Sequence, residues 1–130
     1  MGAEENAELV RSGYAAFSSG DMNTLTELFA DDAVWHVAGS GQLSGSKVGR
    51  DAIMAFFGET IALSGGTFSV TLDDVIGGEP RTAALHHSHG ERNGKVLEQH
   101  VVNVFHIVDG KVVEVREYSD NGAAGDAFWA

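Results

Sequence analysis

The stretch HVVNVFHIVDGKVVEVREYSDN, His100 to Asn121, decides how this chain is built. Apolar residues alternate on both sides of Asp109-Gly110, a dipeptide suited to the left-handed backbone of a two-residue hairpin turn. Two antiparallel strands follow, over residues 96–108 and 111–119. In the first, Gln99, Val101, Asn103, Phe105 and Ile107 face one way and His100, Val102, Val104 and His106 the other. Both faces are substantially apolar, so neither belongs in bare water. One face is expected to cover helices; the other needs a second cover, and a homodimer through the outer sheet face is the simplest one. Asn103 in mid-strand and the polar end Glu117-Tyr118-Ser119-Asp120 are then either surface decoration or the inside of a working cavity.

Working outward from the hairpin, Asn93-Gly94 marks a second tight turn and predicts a strand over 82–91. Gly77-Gly78 and Pro80 separate it from a period-two run, Phe68, Val70 and Leu72. Upstream the period changes. Val10, Gly13, Tyr14 and Phe17 recur at helical spacing over 4–19, and Gly20 is placed to end that helix. Asp21 can cap a short helix with Leu25, Leu28 and Phe29 as its buried stripe. A strand over 33–37 leads to a glycine-rich segment, 39–49, read as a mobile loop rather than an element. A third helix over 50–63 carries Ile53, Phe56, Phe57 and Ile61 on one side. Helices first and an antiparallel meander second give α+β: a curved sheet wrapped around N-terminal helices.

The bulk properties narrow the function. At 130 residues the chain is expected to be one domain, 1–130, and 43 % hydrophobic residues are enough for a core rather than disorder. The absence of cysteine excludes disulfides and Cys-ligated zinc. Nineteen acids against eight bases give a net charge of -11, which repels phosphate backbones, so nucleic acid is not an expected partner. No apolar run nears the ~20 residues that cross a bilayer, and the acidic Met1-Gly2-Ala3-Glu4-Glu5 does not read as a signal peptide. The expectation is a cytoplasmic protein without a membrane partner.

Tyr14-Ala15-Ala16-Phe17 with Gly20-Asp21, Leu28-Phe29-Ala30-Asp31-Asp32-Ala33-Val34-Trp35, and Gly49-Arg50-Asp51-Ala52-Ile53 resemble the first half of SnoaL-like proteins. Val104-Phe105-His106-Ile107-Val108-Asp109-Gly110-Lys111-Val112 with Tyr118-Ser119-Asp120 resembles the second half. These proteins belong to the nuclear transport factor two superfamily, with ketosteroid isomerase, limonene epoxide hydrolase and the polyketide cyclases. The resemblance spans nearly the whole chain and implies a conical α+β barrel, usually dimeric, with a deep apolar pocket between sheet and helices. One such scaffold hosts many chemistries.

Under that resemblance Asn103 falls where ketosteroid isomerase holds an oxyanion-binding aspartic acid. Glu117 falls at a catalytic aspartate of the epoxide hydrolase, and Asp120 at the acid/base aspartate of the polyketide cyclases. The departures are equally specific. The isomerase base position reads Trp35-His36-Val37-Ala38, and Tyr14 lies one helical position from the isomerase tyrosine. The hydrolase's arginine and second aspartate are replaced by His86-His87-Ser88-His89.

The implied catalytic set is Asp120, Glu117, Asn103 and His86. Asp120, with Glu117 or His86, moves the proton, and the Asn103 amide steadies the developing enolate oxygen. Asp120 is expected at the pocket mouth, and Glu117 to point inward with Val113 and Val115, partnered by a histidine. Candidate substrate contacts are Trp35 and His36 on the opposite wall, Tyr14 and Phe57 from the helices, and Ser88, Val101 and Val115 from the sheet. His87, His89 and Glu91 alternate on one strand face, but their spacing departs from the cupin metal motif, so no metal is expected. The terminal Asp126-Ala127-Phe128-Trp129-Ala130 is expected either to close the pocket or to dock on a partner subunit.

The function these residues imply is cofactor-free acid/base catalysis on a small hydrophobic carbonyl compound, by isomerisation, aldol-type cyclisation or dehydration. A non-catalytic ligand-binding or assembly module of the same fold is the alternative. An epoxide hydrolase-like activity is a further one.

Overall fold

A computed structural model describes residues 2–130; of the acidic N-terminal stretch, Met1 lies outside them. The element order is α1 (Ala3–Ser19), α2 (Met22–Leu28), β1 (Phe29–Val37), β2 (Gly45–Val48), α3 (Arg50–Leu63), β3 (Ser69–Ile76), β4 (Arg81–Arg92), β5 (Lys95–Val108), β6 (Lys111–Ser119) and α4 (Gly122–Trp129). The six strands form one curved, unclosed sheet in the order β2-β1-β6-β5-β4-β3. Every pairing is antiparallel except β1 with β6. This is the α+β architecture expected from the order of patterns.

Local chemistry accounts for the element ends. Gly20 ends α1 at φ 74°, where its N–H reaches Phe17. No atom lies near the position its Cβ would take, so the glycine is there for its backbone alone. Gly20→Ala should cost about 1 kcal/mol and lower Tm by about 3–5 °C, measurable by thermal melting. Asp21 caps α2 by accepting from the Thr24 backbone N–H and hydroxyl. Asn93-Gly94 and Asp109-Gly110 all adopt positive φ, the signature of the tight hairpins.

Two bulges set the inner face. An extra residue, Asp73, in β3 puts Val70, Leu72 and Val75 on one side. Another, Val113, in β6 turns Val112 inward with Val115 and Glu117. The expected alignment of Val113 with Val115 is therefore corrected by the bulge.

Three further expectations change. The segment 39–49 contains β2, paired along β1 from Val34 to Val37, and buries Leu43. On α3, Thr60 rather than Ile61 continues the buried stripe of Ile53, Phe56 and Phe57, while Ile61 is 40 % exposed. Phe29 starts β1 instead of finishing α2. The core fills the space between α1, α2, α3 and the inner sheet face, around Ile53, Trp35, Phe105 and Val112. Among the described residues no helix is long and apolar enough to cross a membrane.

Candidate active site

A cavity of about 150 Å³ opens between the inner sheet face and the helices. Its walls are mostly apolar: Phe17, Phe56 and Phe57 from the helices, Phe29, Val101, Phe105 and Val112 from the sheet. Among the polar side chains set into them are two hydrogen-bonded groups.

The first group is a three-residue chain across α1, β4 and β5. Asn103 Nδ2 donates to Tyr14 Oη at 2.9 Å, and Tyr14 Oη lies 2.7 Å from His86 Nδ1. Strand register explains the meeting: His86 pairs with Val101 across β4 and β5, one inward position from Asn103. Burial lowers the His86 pKa from its ordinary value to about 4, more than the nearby Asp73 carboxylate raises it. The ring is neutral at physiological pH. Burial pushes the Tyr14 pKa up, its Asn103 hydrogen bond opposes this, and the Glu117 charge reinforces it.

The second group is Glu117 and Trp35. Trp35 Nε1–H donates to Glu117 Oε2 at 3.0 Å across the parallel β1–β6 pairing. Glu117 is partly buried as a residue, but its carboxyl group is desolvated, which raises its pKa; the indole hydrogen bond partly offsets this. The expected histidine partner is thus replaced by a tryptophan. Glu117 pairs in register with Asn103, so the two groups are neighbours on one wall.

Of the residues singled out from sequence, His86, Asn103, Glu117, Tyr14, Trp35, Phe57, Ser88 and Val101 line this cavity together. Three do not. Asp120 is exposed on the outer side of the sheet, where its carboxylate accepts from the His100 backbone N–H. It follows inward-facing Ser119, so strand alternation turns it away. His36 follows inward-facing Trp35 and is turned outward in the same way, onto Ser46 and Glu114. Val115 is 1 % exposed within the core and does not reach the cavity. Of the other histidines, His87 bonds to Asp73 and His89 to Glu98.

The far rim joins the glycine-rich segment to the aromatic tail, which the sequence marks as one that could close the pocket. Gly41, Leu43 and Ser44 of the β1–β2 connection line the cavity opposite Gly125, Asp126 and Trp129 of α4. Asp126 accepts from the Ser40 and Gly41 backbone N–H groups, which hold its carboxyl below the usual carboxylate range. Arg92 and Lys95 bind the carbonyls that end α4, and Trp129 packs on Phe68. The aromatic tail therefore folds back over the cavity. Leu43, apolar in the polar stretch 39–47, was the available signal for the β1–β2 side of this rim.

Comparison with known proteins agrees with this geometry. An uncharacterized protein of Mycobacterium tuberculosis is 34 % identical over the full length of both chains. The structure of Bal32a, from a soil-derived mobile gene cassette, superposes with a TM-score of 0.96 at 44 % identity, covering 98 % of each chain. IdmH, a candidate polyketide cyclase from Streptomyces antibioticus, gives 0.73 at 26 % identity over 89 % of this chain and 92 % of its own. The fold is shared with nuclear transport factor two-like proteins. Residues 10–115 match the SnoaL-like domain, and the chain belongs to the SnoaL-like family.

Proposed function

We propose that this protein is a cofactor-free acid/base enzyme for small hydrophobic carbonyl compounds, with Glu117 moving the proton. The observation that carries this is a desolvated carboxyl group with one hydrogen bond, from Trp35, beside an apolar cavity. Such a carboxylate is a stronger base than a solvated one. It takes the proton α to the carbonyl, and the released electron pair moves to the carbonyl oxygen. An amide hydrogen of Asn103 steadies the enolate; preorganised donors of this kind are worth roughly 3 kcal/mol. Return of the proton to another carbon gives isomerisation, and attack of the enolate on a second carbonyl gives aldol-type cyclisation. The candidate polyketide cyclase among the structural relatives favours the second.

His86, neutral and occupied by Tyr14, serves as an acceptor rather than a proton donor. An epoxide-opening role for Glu117 is disfavoured because no arginine lines the cavity among the described residues. The test is deuterium exchange at the α-carbons of cyclohexanone and larger cyclic enones, followed by proton NMR. Exchange above the buffer rate is expected. Ketone binding without exchange would sink the enzymatic reading in favour of a binding module.

A homodimer is part of the same proposal. The outer face carries a cross-strand row of Leu85, Val102 and Tyr118, with Tyr118 54 % exposed, and a second copy would remove it from water. Sedimentation velocity should give a dimer for the native chain and a monomer for Tyr118→Glu. A monomeric native chain would refute it.

A further inference from the structure

We propose that Asn103 tunes ligand preference through its unpartnered carbonyl oxygen at the cavity wall, so that a ligand bringing an O–H or N–H donor is favoured. This deepens the reading of the cavity as a small-molecule site and rests on it.

The Asn103–Tyr14–His86 chain occupies one edge of the amide. Tyr14 Oη carries one hydrogen and has two nitrogen neighbours. The amide nitrogen of Asn103 can only donate, so it gives a hydrogen to Oη. In the tautomer whose Nδ1 is bare, the tyrosine's own hydrogen goes to His86. Burial keeps the His86 ring neutral, as that pairing requires.

In that tautomer the relay runs from Asn103 through Tyr14 to His86 and leaves Tyr14 no hydrogen for a ligand. It also fixes the amide, with its nitrogen tied to Tyr14. Asn103 lines the cavity, yet it is only 3 % exposed, and among the described residues no group reaches its Oδ1. A buried acceptor without a partner keeps its full desolvation penalty, and a ligand donor relieves it. Ketosteroid-type oxyanion binding alone would call for donors here. This site pairs one remaining amide N–H with an unpartnered acceptor, which suits a carbonyl compound bearing a hydroxyl or N–H.

Small aromatic probes separate the possibilities, since an apolar cavity of about 150 Å³ accommodates benzene. Phenol, toluene and anisole are titrated into the full chain, with occupancy read from the fluorescence of Trp35 and Trp129, which line the cavity. Phenol should bind at least about tenfold tighter than anisole and no more weakly than toluene, despite its greater hydration. Asn103→Leu should abolish the preference for phenol over toluene and anisole. Tyr14→Phe, which unties the amide, should reduce it.

Toluene binding with no gain for phenol would overturn this proposal while leaving the cavity a ligand site. A preference for anisole would overturn it by showing a donor edge instead. Preference surviving Asn103→Leu but lost in Glu117→Gln would also overturn it, by assigning the donor to Glu117. If none of the three probes binds, the cavity reading itself fails and the proposal with it.

Discussion

Glu117→Gln should lower the α-proton exchange rate by about 10²- to 10⁴-fold, the usual contribution of a positioned general base. The substitution keeps an oxygen that can still accept from Trp35, so the cavity wall stays in place while the base is lost. Ketone affinity should change little, which places the loss in kcat rather than KM. The native rate should rise with pH through an apparent pKa above the ordinary carboxylate range, because the carboxyl group is desolvated. Trp35→Phe removes the one hydrogen bond that favours the charged form, so it should move that limb to still higher pH. An unmoved limb in Trp35→Phe would show that a different group titrates.

The same substitution should change stability with a definite sign. Glu117 has a raised pKa in the folded protein, so folding takes up a proton between the unfolded and folded pKa values. Native stability falls as pH rises through that window. Glu117→Gln should therefore gain on the native chain from mildly acid to neutral pH, as urea unfolding would read.

His86 acts in the opposite direction at the acid end. Its pKa drops from 6.5 to about 4 on folding, so the unfolded chain binds the extra proton first. Stability is lost as pH falls from 6.5 towards 4 and levels out below that. A shift of this size corresponds to roughly 3 kcal/mol. His86→Gln retains an acceptor for Tyr14 but cannot be protonated. Urea midpoints between pH 7 and 4 should then fall much less steeply than in the native chain. A parallel acid limb in both proteins would show that other groups control it.

Legibility in the sequence divides along physical lines. Turns that need positive φ announce themselves, so Asn93-Gly94 and Asp109-Gly110 located β4, β5 and β6 closely. Periodicity located α1 and α3 for the same reason: it reflects which face is buried. The bulge at Val113 is invisible to a period-two count, because nothing in Lys111-Val112-Val113-Glu114 marks where the extra residue sits. Asp120 and His36 were misplaced although strand parity alone turned both outward beside Ser119 and Trp35; for Asp120, family alignment had displaced that parity. The Asn103–Tyr14–His86 chain joins residues 72 and 89 positions apart, and no local pattern reveals such a meeting.

The parallel pairing of β1 with β6 has a consequence for when the proposed chemistry begins. Trp35 and Glu117 lie 82 residues apart and meet only after the last strand docks beside the first. Until then the chain carries an ordinary solvated glutamate, too weak a base to deprotonate a ketone at a useful rate. Basicity here belongs to the finished topology rather than to any residue. A nascent or partly unfolded chain is chemically harmless, and reactivity is the last property the molecule acquires.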